Sequence, residues 1–312
     1  MFKAVLFLGK DHTMNNHTLS RKQFDVLTYL ERHAKKISQR DIAEATGMSL
    51  GSVNRTMASL AQEGFADGYI VTEKGYEALE PYRVKRAIFI AAGFGSRLVP
   101  ITLNTPKPLV RVKGVRMIDT LLDAVVAAGI EEIYIVRGYL GEQFDQLLYK
   151  YPNIKFIENP LYNEENNISS AMCVRHLMQN AYVMEADLVL SNPDLIQKYQ
   201  YTSNYLGVPV ESTDDWCFET NKNRVITKLK VGGTNCYHEY GLSYWNAEHG
   251  QKLVEDLKKV YEMPGGKQRY WDQAPLEYCA DNYQIEVRPC TFEDIIEIDT
   301  FADLKNLDSS YR

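Results

Sequence analysis

The stretch from Arg86 to Leu109 constrains this chain more than any other. Arg86-Ala87-Ile88-Phe89-Ile90 is short, apolar and β-branched, and predicts a buried strand. It opens directly into Ala91-Ala92-Gly93-Phe94-Gly95-Ser96-Arg97. A strand that ends in such a turn makes a backbone cradle for phosphate, because Gly93 and Gly95 let the chain bend and let N–H groups approach an anion. Arg97 adds a guanidinium fork and Lys107 a compact positive charge. Thr105-Pro106-Lys107-Pro108 holds that lysine in an extended segment, since each residue before a proline is pushed out of the helical region.

The motif is not a P-loop, which requires G-x-x-x-x-G-K-S/T, and it lacks the third glycine of the dinucleotide fingerprint. From Ala91 to Leu109 it resembles the signature of the sugar-nucleotide-type nucleotidyltransferases, A-A-G-x-G-S/T-R-L-x-P-x-T-x-x-x-P-K-x-L, with every fixed position present. The resemblance implies a Rossmann-like, mostly parallel mixed α/β sheet. It also implies a nucleotide held by Ala91, Ala92, Gly93, Gly95, Ser96, Arg97 and Lys107.

Ahead of this region, residues 15–83 predict three helices and a wing. Ser20, Ser38 and Ser49 are helix N-caps, Ser38 with Asp41 in the form of a capping box. Gly47 and Gly64 end helices, and Phe65 to Val71, turning at Asp67-Gly68, reads as a hairpin. The order resembles a winged helix-turn-helix domain. That resemblance offers the helix from Ser49 to Glu63 to DNA, with Ser52, Asn54 and Arg55 as readers. Charge lends little support. Asn15 to Arg83 carries nine Lys/Arg and nine Asp/Glu, whereas DNA readers usually present a basic face, although Lys35, Lys36 and Arg40 could form a local patch. The same fold also serves as an interaction module, which allows a homodimer. Residues 1–14 form a leader segment without a clear cleavage site, and Met14 is an alternative start.

Residues 84–312 alternate strands and helices, the pattern of a sheet covered on both faces. Helices are predicted at Met117–Gly129, Glu142–Tyr149 and Asn167–Gln179, and strands at Glu132–Val136, Ile154–Ile157 and Ala181–Met184. The five cysteines form no C-x-x-C pair, which indicates free thiols in a reducing, cytoplasmic setting. A net charge of −6 argues against wholesale nucleic-acid or anionic-membrane binding, and no run is long enough to span a membrane.

Nucleoside triphosphate chemistry calls for a divalent cation on oxygen ligands. Asp187 follows one strand and Asp299 ends another, Ile295 to Asp299. The nucleotidyltransferase resemblance makes this pair the Mg²⁺ ligands, and Asp187 joins Arg97 and Lys107 as catalytic residues. Within the superfamily the resemblance is to bacterial CTP:phosphocholine cytidylyltransferases. Its segments are Val136 to Phe144, Tyr162 to Ser170, Gly241 to Trp245, Tyr270-Trp271-Asp272 and Glu297 to Asp299. The family resemblance lays Asn159 to Ser170 over the base, with Asn159, Asn167 and Ser169 as its nucleotide contacts.

The three tryptophans, Trp216, Trp245 and Trp271, each stand beside an acid or an amide. A quaternary ammonium donates no hydrogen bond and is held by aromatic faces with a carboxylate nearby. These tryptophans with Asp272 are therefore expected to bind choline. The expected reaction joins CTP and phosphocholine to give CDP-choline and pyrophosphate. Three alternatives stay open: phosphoethanolamine or 2-aminoethylphosphonate as the acceptor, a sugar 1-phosphate, or a ligand-sensing transcription regulator.

Overall fold

The computed structural model describes residues 18–33 and 37–311. The leader, Met14, Lys35 and Lys36 lie outside the described residues. The chain divides into two compact units between Pro81 and Tyr82.

The first unit begins with α1 (Arg21–Arg32), where Ser20 and Gln23 form a reciprocal capping box. α2 (Gln39–Thr46) starts on a second box, Ser38 with Asp41, and stops at Gly47, whose φ of 67° suits the left-handed end of a helix. α3 (Leu50–Gln62) is capped by Ser49. Phe24, Leu27, Leu30, Ile42, Val53 and Leu60 are buried and form the apolar faces of these helices. The wing is the antiparallel pair β1 (Ala66–Asp67) and β2 (Ile70–Val71), followed by α4 (Glu73–Leu79) with Thr72 as its cap. The predicted caps at Ser20, Ser38 and Ser49 all start helices, because each hydroxyl accepts from a backbone N–H of the first turn.

The second unit opens with β3 (Arg86–Ile90). A small hairpin follows, β4 (Arg111–Val112) and β5 (Val115–Arg116), leading into α5 (Met117–Ala127). Then come β6 (Glu132–Arg137), β7 (Ile154–Glu158), α6 (Ile168–Val174), β8 (Ala181–Glu185) and β9 (Leu188–Leu190). Two long strands, β10 (Asn204–Thr220) and β11 (Ile226–Trp245), precede α7 (Ala247–Glu262). β12 (Glu286–Pro289), β13 (Ile295–Glu297) and α8 (Phe301–Leu307) close the chain.

The seven-stranded sheet has the order β12-β10-β11-β8-β3-β6-β7. β3 lies parallel to β6 and β8, β6 to β7, and β10 to β12, while β11 runs antiparallel to β8 and β10. Alternate residues of β3 enter opposite cores, as the two-residue period of a strand requires. Ala87 and Phe89 pack with Ile118, Leu121 and Val125 of α5, and Ile88 and Ile90 with residues of α6 and α7. No helix among the described residues is long and apolar enough to cross a membrane.

The segment expected to be extended around the buried lysine turns instead, as a 3-10 helix at Lys107–Leu109. Two predicted helices also come out differently. Gly141–Tyr149 is a 3-10 run entered from Leu140 at a φ of 47°. α6 gives way to a 3-10 turn at Arg175–Leu177. Apolar residues such as Phe144 and Leu147, three apart, suit either helical period, so spacing alone cannot separate the two. The long β10–β11 hairpin has no counterpart in the sequence reading. Its register shifts, including one between Thr213 and Trp216, break the alternation that would have announced it.

Candidate active site

The carboxyl ends of β3 and β8 bring the glycine turn and Glu185 to one rim of the sheet. The antiparallel pair β9–β13 brings in the C-terminal acids, and Ile298 N–H donates to Asp187 O at 3.2 Å. Asp187 and Asp299, far apart in sequence, thereby face the same lysine.

Gly95 has a φ of 67°, and a Cβ there would lie 2.9 Å from Lys107 Cβ and 3.3 Å from Thr102 Cγ2. Thr102 Oγ1 donates to Gly95 O at 2.9 Å and pins the turn. Lys107 is only 8% exposed, and its Nζ lies 2.7 Å from Asp187 Oδ2 and 3.2 Å from Asp299 Oδ1. Burial alone would lower the lysine pKa, but Asp187 and then Asp299 outweigh it and hold the ammonium above the ordinary lysine range. Arg97 grips Asp299 with two hydrogen bonds, of 2.7 and 3.0 Å.

Ala91, Ala92, Gly93, Gly95, Ser96, Arg97, Lys107, Asn159, Asn167 and Ser169 all line one cavity of about 400 Å³, together with Asp187 and Asp299. The cavity also includes Tyr162, whose ring lies against Gly138, where a Cβ would come within 2.6 Å of Tyr162 Cγ. The three expected base contacts also bond within the protein. Asn159 Nδ2 donates to Ser169 Oγ and Ser170 Oγ, each at 2.9 Å, and Ser169 Oγ donates to Asn166 O at 2.8 Å. Asn167 Oδ1 accepts from Trp271 N–H at 2.8 Å.

A second cavity, of about 160 Å³, adjoins the first through Arg97, Glu185, Tyr270, Glu297 and Asp299. Its wall adds Asp215, Trp216, Glu239, Gly241 and Asp272. Gly241 leaves room for Glu185, since a Cβ there would meet its side chain at 2.6 Å. Trp216 and Tyr270 meet edge to face with ring centroids 5.9 Å apart.

The expected three-tryptophan cage does not form. Trp245 is 0% exposed in the core, with Nε1 donating to Ser243 Oγ at 2.9 Å. Trp271 is 4% exposed, packed against Tyr205 and Trp245. Burying those indoles in the sheet core removes them from the cavity and leaves Trp216, with Asp272, as the members that face it.

The carboxyl groups of Glu185, Asp187 and Glu297 offer oxygens within 4.8 Å of one another, and Asp187 Oδ1 is buried without a hydrogen-bond partner. Hard oxygen donors with an unused acceptor fit a divalent cation such as Mg²⁺. Asp299, the second expected ligand, lies outside this trio, and its oxygens accept from Arg97 and Lys107. Burial, with repulsion from Asp187 next in size, raises the pKa of Glu185 well above the carboxylate range and that of Glu297 to about 10. Sequence reasoning gave no role to Glu185, Glu239 or Glu297, because a lone acid in a strand looks like an ordinary outward residue.

The winged unit presents Asn54 and Arg55 on the exposed side of α3. Ser52, expected beside them, is 9% exposed and turned toward Met48 Sδ at 3.8 Å. It falls one turn from Thr56, on the helix's inner face.

A strand leading to a glycine turn, a buried lysine between two acids and an oxygen-rich trio define a nucleotidyltransferase. The sequence matches the nucleotidyl transferase family over residues 86–206 and the MarR family over residues 17–68. It is 36% identical over 228 residues to the 2-aminoethylphosphonate cytidylyltransferase of Lancefieldella rimae, covering 72% of this chain and 92% of that one. It is 30% identical to the choline-phosphate cytidylyltransferase of Haemophilus influenzae, covering 71% and 95%. The solved CTP:phosphocholine cytidylyltransferase of Streptococcus pneumoniae superposes with a TM-score of 0.68 at 31% identity, covering 74% of this chain and 100% of that one. The chain belongs to the cytidylyltransferase family, with a MarR-type winged helix unit at its N-terminal end.

Proposed function

We propose that this enzyme transfers CMP from CTP to a small phosphonate or phosphate ester carrying a primary ammonium, with 2-aminoethylphosphonate as the foremost acceptor. The second cavity carries the argument. Besides Glu185 and Glu297 of the acid trio and Asp299, which is paired with Arg97, it presents the carboxyl groups of Asp215, Glu239 and Asp272, and it offers only two aromatic faces, Trp216 and Tyr270. A primary ammonium brings three N–H donors, which carboxylates satisfy, whereas a trimethylammonium brings none and needs aromatic walls. The identity to the Lancefieldella enzyme supports the same choice.

In this reading the triphosphate occupies the larger cavity, on the backbone of Ala92 to Ser96. An anionic acceptor oxygen attacks the α-phosphorus opposite the bridging oxygen to the β-phosphate. That bond breaks as the new one forms, and pyrophosphate leaves with the electron pair. No general base is needed because the attacking oxygen carries no proton. Arg97 and Lys107 neutralise charge on the triphosphate and on the departing pyrophosphate. Glu185, Asp187 and Glu297 would hold Mg²⁺, which when bound supplies further charge neutralisation at phosphate oxygens.

The test is pyrophosphate release with CTP, UTP, ATP and GTP, each paired with 2-aminoethylphosphonate, phosphoethanolamine, phosphocholine and glucose 1-phosphate. Turnover with CTP and 2-aminoethylphosphonate is expected, with kcat/KM for phosphocholine lower by at least about tenfold. A preference for phosphocholine would overturn the acceptor assignment and leave the chemistry in place.

The winged unit is proposed to contact DNA through α3, where Arg55 shares a shallow surface cavity with Lys22. Fluorescence anisotropy with labelled duplexes at two salt concentrations tests this. Salt-sensitive binding weakened by Arg55→Ala is expected, and its absence would return the unit to an interaction role.

A further inference from the structure

Two segments wall the adjoining cavities. Residues 159–167 border the larger one, and Tyr270 and Asp272 border the smaller. They are fastened together at several points. Asn166 N–H donates to Lys267 O at 2.9 Å, and Asn166 Nδ2 donates to Gln268 O at 3.1 Å. Gln268 Nε2 returns a bond to Glu164 O at 3.1 Å. Glu165 accepts from Tyr261 Oη at 2.6 Å and pairs with Lys267 Nζ at 2.9 Å.

Asn167 stands at the end of this seam. Its Oδ1 accepts from Trp271 N–H at 2.8 Å, and its Nδ2 points to Glu185 Oε1 at 3.4 Å. The Trp271 N–H fixes the orientation of the amide, because only oxygen can face that donor. Asn167 also occupies the N-cap position of α6 without capping it, so its side chain is left to these other partners. On the far side of the bond, the Trp271 indole is buried in the core. A shift of residue 271 therefore carries its neighbours Tyr270 and Asp272, which face the smaller cavity.

We propose that Asn167 is a positioning residue that ties the nucleotide-side loop to the acceptor-side segment 270–272, so that nucleotide contact with the loop sets the acceptor wall. This deepens the reading given above and rests on it for which cavity takes which substrate. An amide spent in this way does not read the cytosine edge. Its loss then acts on the acceptor rather than on nucleotide choice.

Hydrogen–deuterium exchange on the full chain, followed by mass spectrometry, tests the link with CTP and Mg²⁺ as the probe. In the wild type, CTP is expected to slow exchange in peptides spanning 159–170 and also 266–273. Asn167→Ala keeps the first effect and loses the second, and without ligand its 266–273 peptides exchange faster. Asn167→Asp, which retains an oxygen for Trp271 N–H, keeps the ligand-free protection. In steady-state kinetics Asn167→Ala raises the acceptor KM about tenfold, the scale of one lost buried hydrogen bond, with the CTP-over-UTP preference nearly unchanged. If Asn167→Ala does not fold, Asn166→Ala cuts the same seam at Gln268 and carries the same expectations. CTP protection confined to 159–170 in the wild type would overturn this proposal alone, as would a collapse of CTP-over-UTP preference in Asn167→Ala. Absence of CTP protection anywhere would overturn the functional reading and the proposal with it.

Discussion

Lys107 Nζ sits 2.7 Å from Asp187 Oδ2 and 3.2 Å from Asp299 Oδ1, a buried cation clamped between two acids at the rim of the sheet. Its raised pKa keeps it an ammonium throughout the neutral range. A triphosphate in the larger cavity would meet that charge already in place, which is the condition for electrostatic catalysis. Lys107→Ala is expected to lower kcat by about two to three orders of magnitude, the usual cost of one preorganised charge-stabilising donor. Lys107→Arg should not restore it, because a planar fork does not fill the place of a point charge. Stopped-flow pyrophosphate release, with circular dichroism as the folding control, checks both. Full activity in the alanine variant would refute the role of Lys107.

The same lysine depends on a glycine. Gly95 combines a φ of 67° with a Cβ position 2.9 Å from Lys107 Cβ. Gly95→Ala should cost about 1–3 kcal/mol, from left-handed backbone strain and the displaced lysine, and kcat should fall with it. Gly93 has open space where its Cβ would be. Gly93→Ala should leave the melting temperature near the wild-type value, so thermal melts of the two variants separate a strained glycine from a tolerant one.

Trp216 and Trp245 look alike in sequence and should behave as opposites. Trp245→Ala empties a fully buried site next to Tyr205 and should destabilise the fold by about 3–5 kcal/mol. Trp216→Ala removes one face of the smaller cavity, proposed above for the acceptor, and should raise the acceptor KM severalfold while the melting temperature stays close to wild type. Denaturant melts and acceptor titrations of the two variants provide the comparison.

That contrast marks where legibility ended. The cradle from Ala91 to Lys107 and the caps at Ser20, Ser38 and Ser49 could be read because their signals are local, carried within a few residues of backbone. Asp187 and Asp299 could be nominated because each ends or follows an apolar run. Burial of an indole is set by elements distant in sequence. Trp216 follows Asp215 and Trp245 precedes Asn246, a local difference that does not report burial, whereas Trp245 ends β11 inside the core and Trp216 lies in β10 at a register shift near the cavity. The Asn167–Trp271 bond is equally nonlocal, and nothing near Asn167 in the chain announces that its amide holds the backbone of residue 271. Glu297 and Glu239 became part of the site only once β13 and β11 brought them to Glu185.

The acid trio carries a prediction with a readout other than turnover. Burial and mutual repulsion work against the charged forms of Glu185 and Glu297, and a divalent cation would relieve both. Mg²⁺ should therefore raise the melting temperature in a concentration-dependent way, as any ligand that prefers the folded state does. Asp187→Asn should weaken that response, and chelation with EDTA should abolish turnover. A melting curve indifferent to Mg²⁺, Mn²⁺ and Ca²⁺ would remove the trio as a cation site.

His249 supplies a pH dependence whose sign can be worked out. Its Nδ1 lies 2.8 Å from Ser203 Oγ, and its ring meets Tyr283 at a centroid distance of 5.4 Å. Burial pushes its pKa below the ordinary 6.5, with Glu248 opposing and Lys252 adding. Between that lowered value and 6.5 the unfolded chain binds more protons than the folded one, so stability contributed by His249 is present above pH 6.5 and is lost as pH falls through the folded value. His238 has the same sign, since burial lowers it and Asp215 and Asp214 only partly compensate. The metal-free acids pull the other way. Glu297, raised by burial and then by Asp187, binds its proton more tightly folded than unfolded, so its contribution falls as pH rises. The informative quantity is therefore a difference between proteins. On going from pH 7.5 to 5.5, the wild type should lose more unfolding free energy than His249→Gln, because the glutamine variant has no such histidine left to protonate. Chemical melts at the two pH values measure it. An equal loss in both proteins would mean that His249 titrates alike in the folded and unfolded chains.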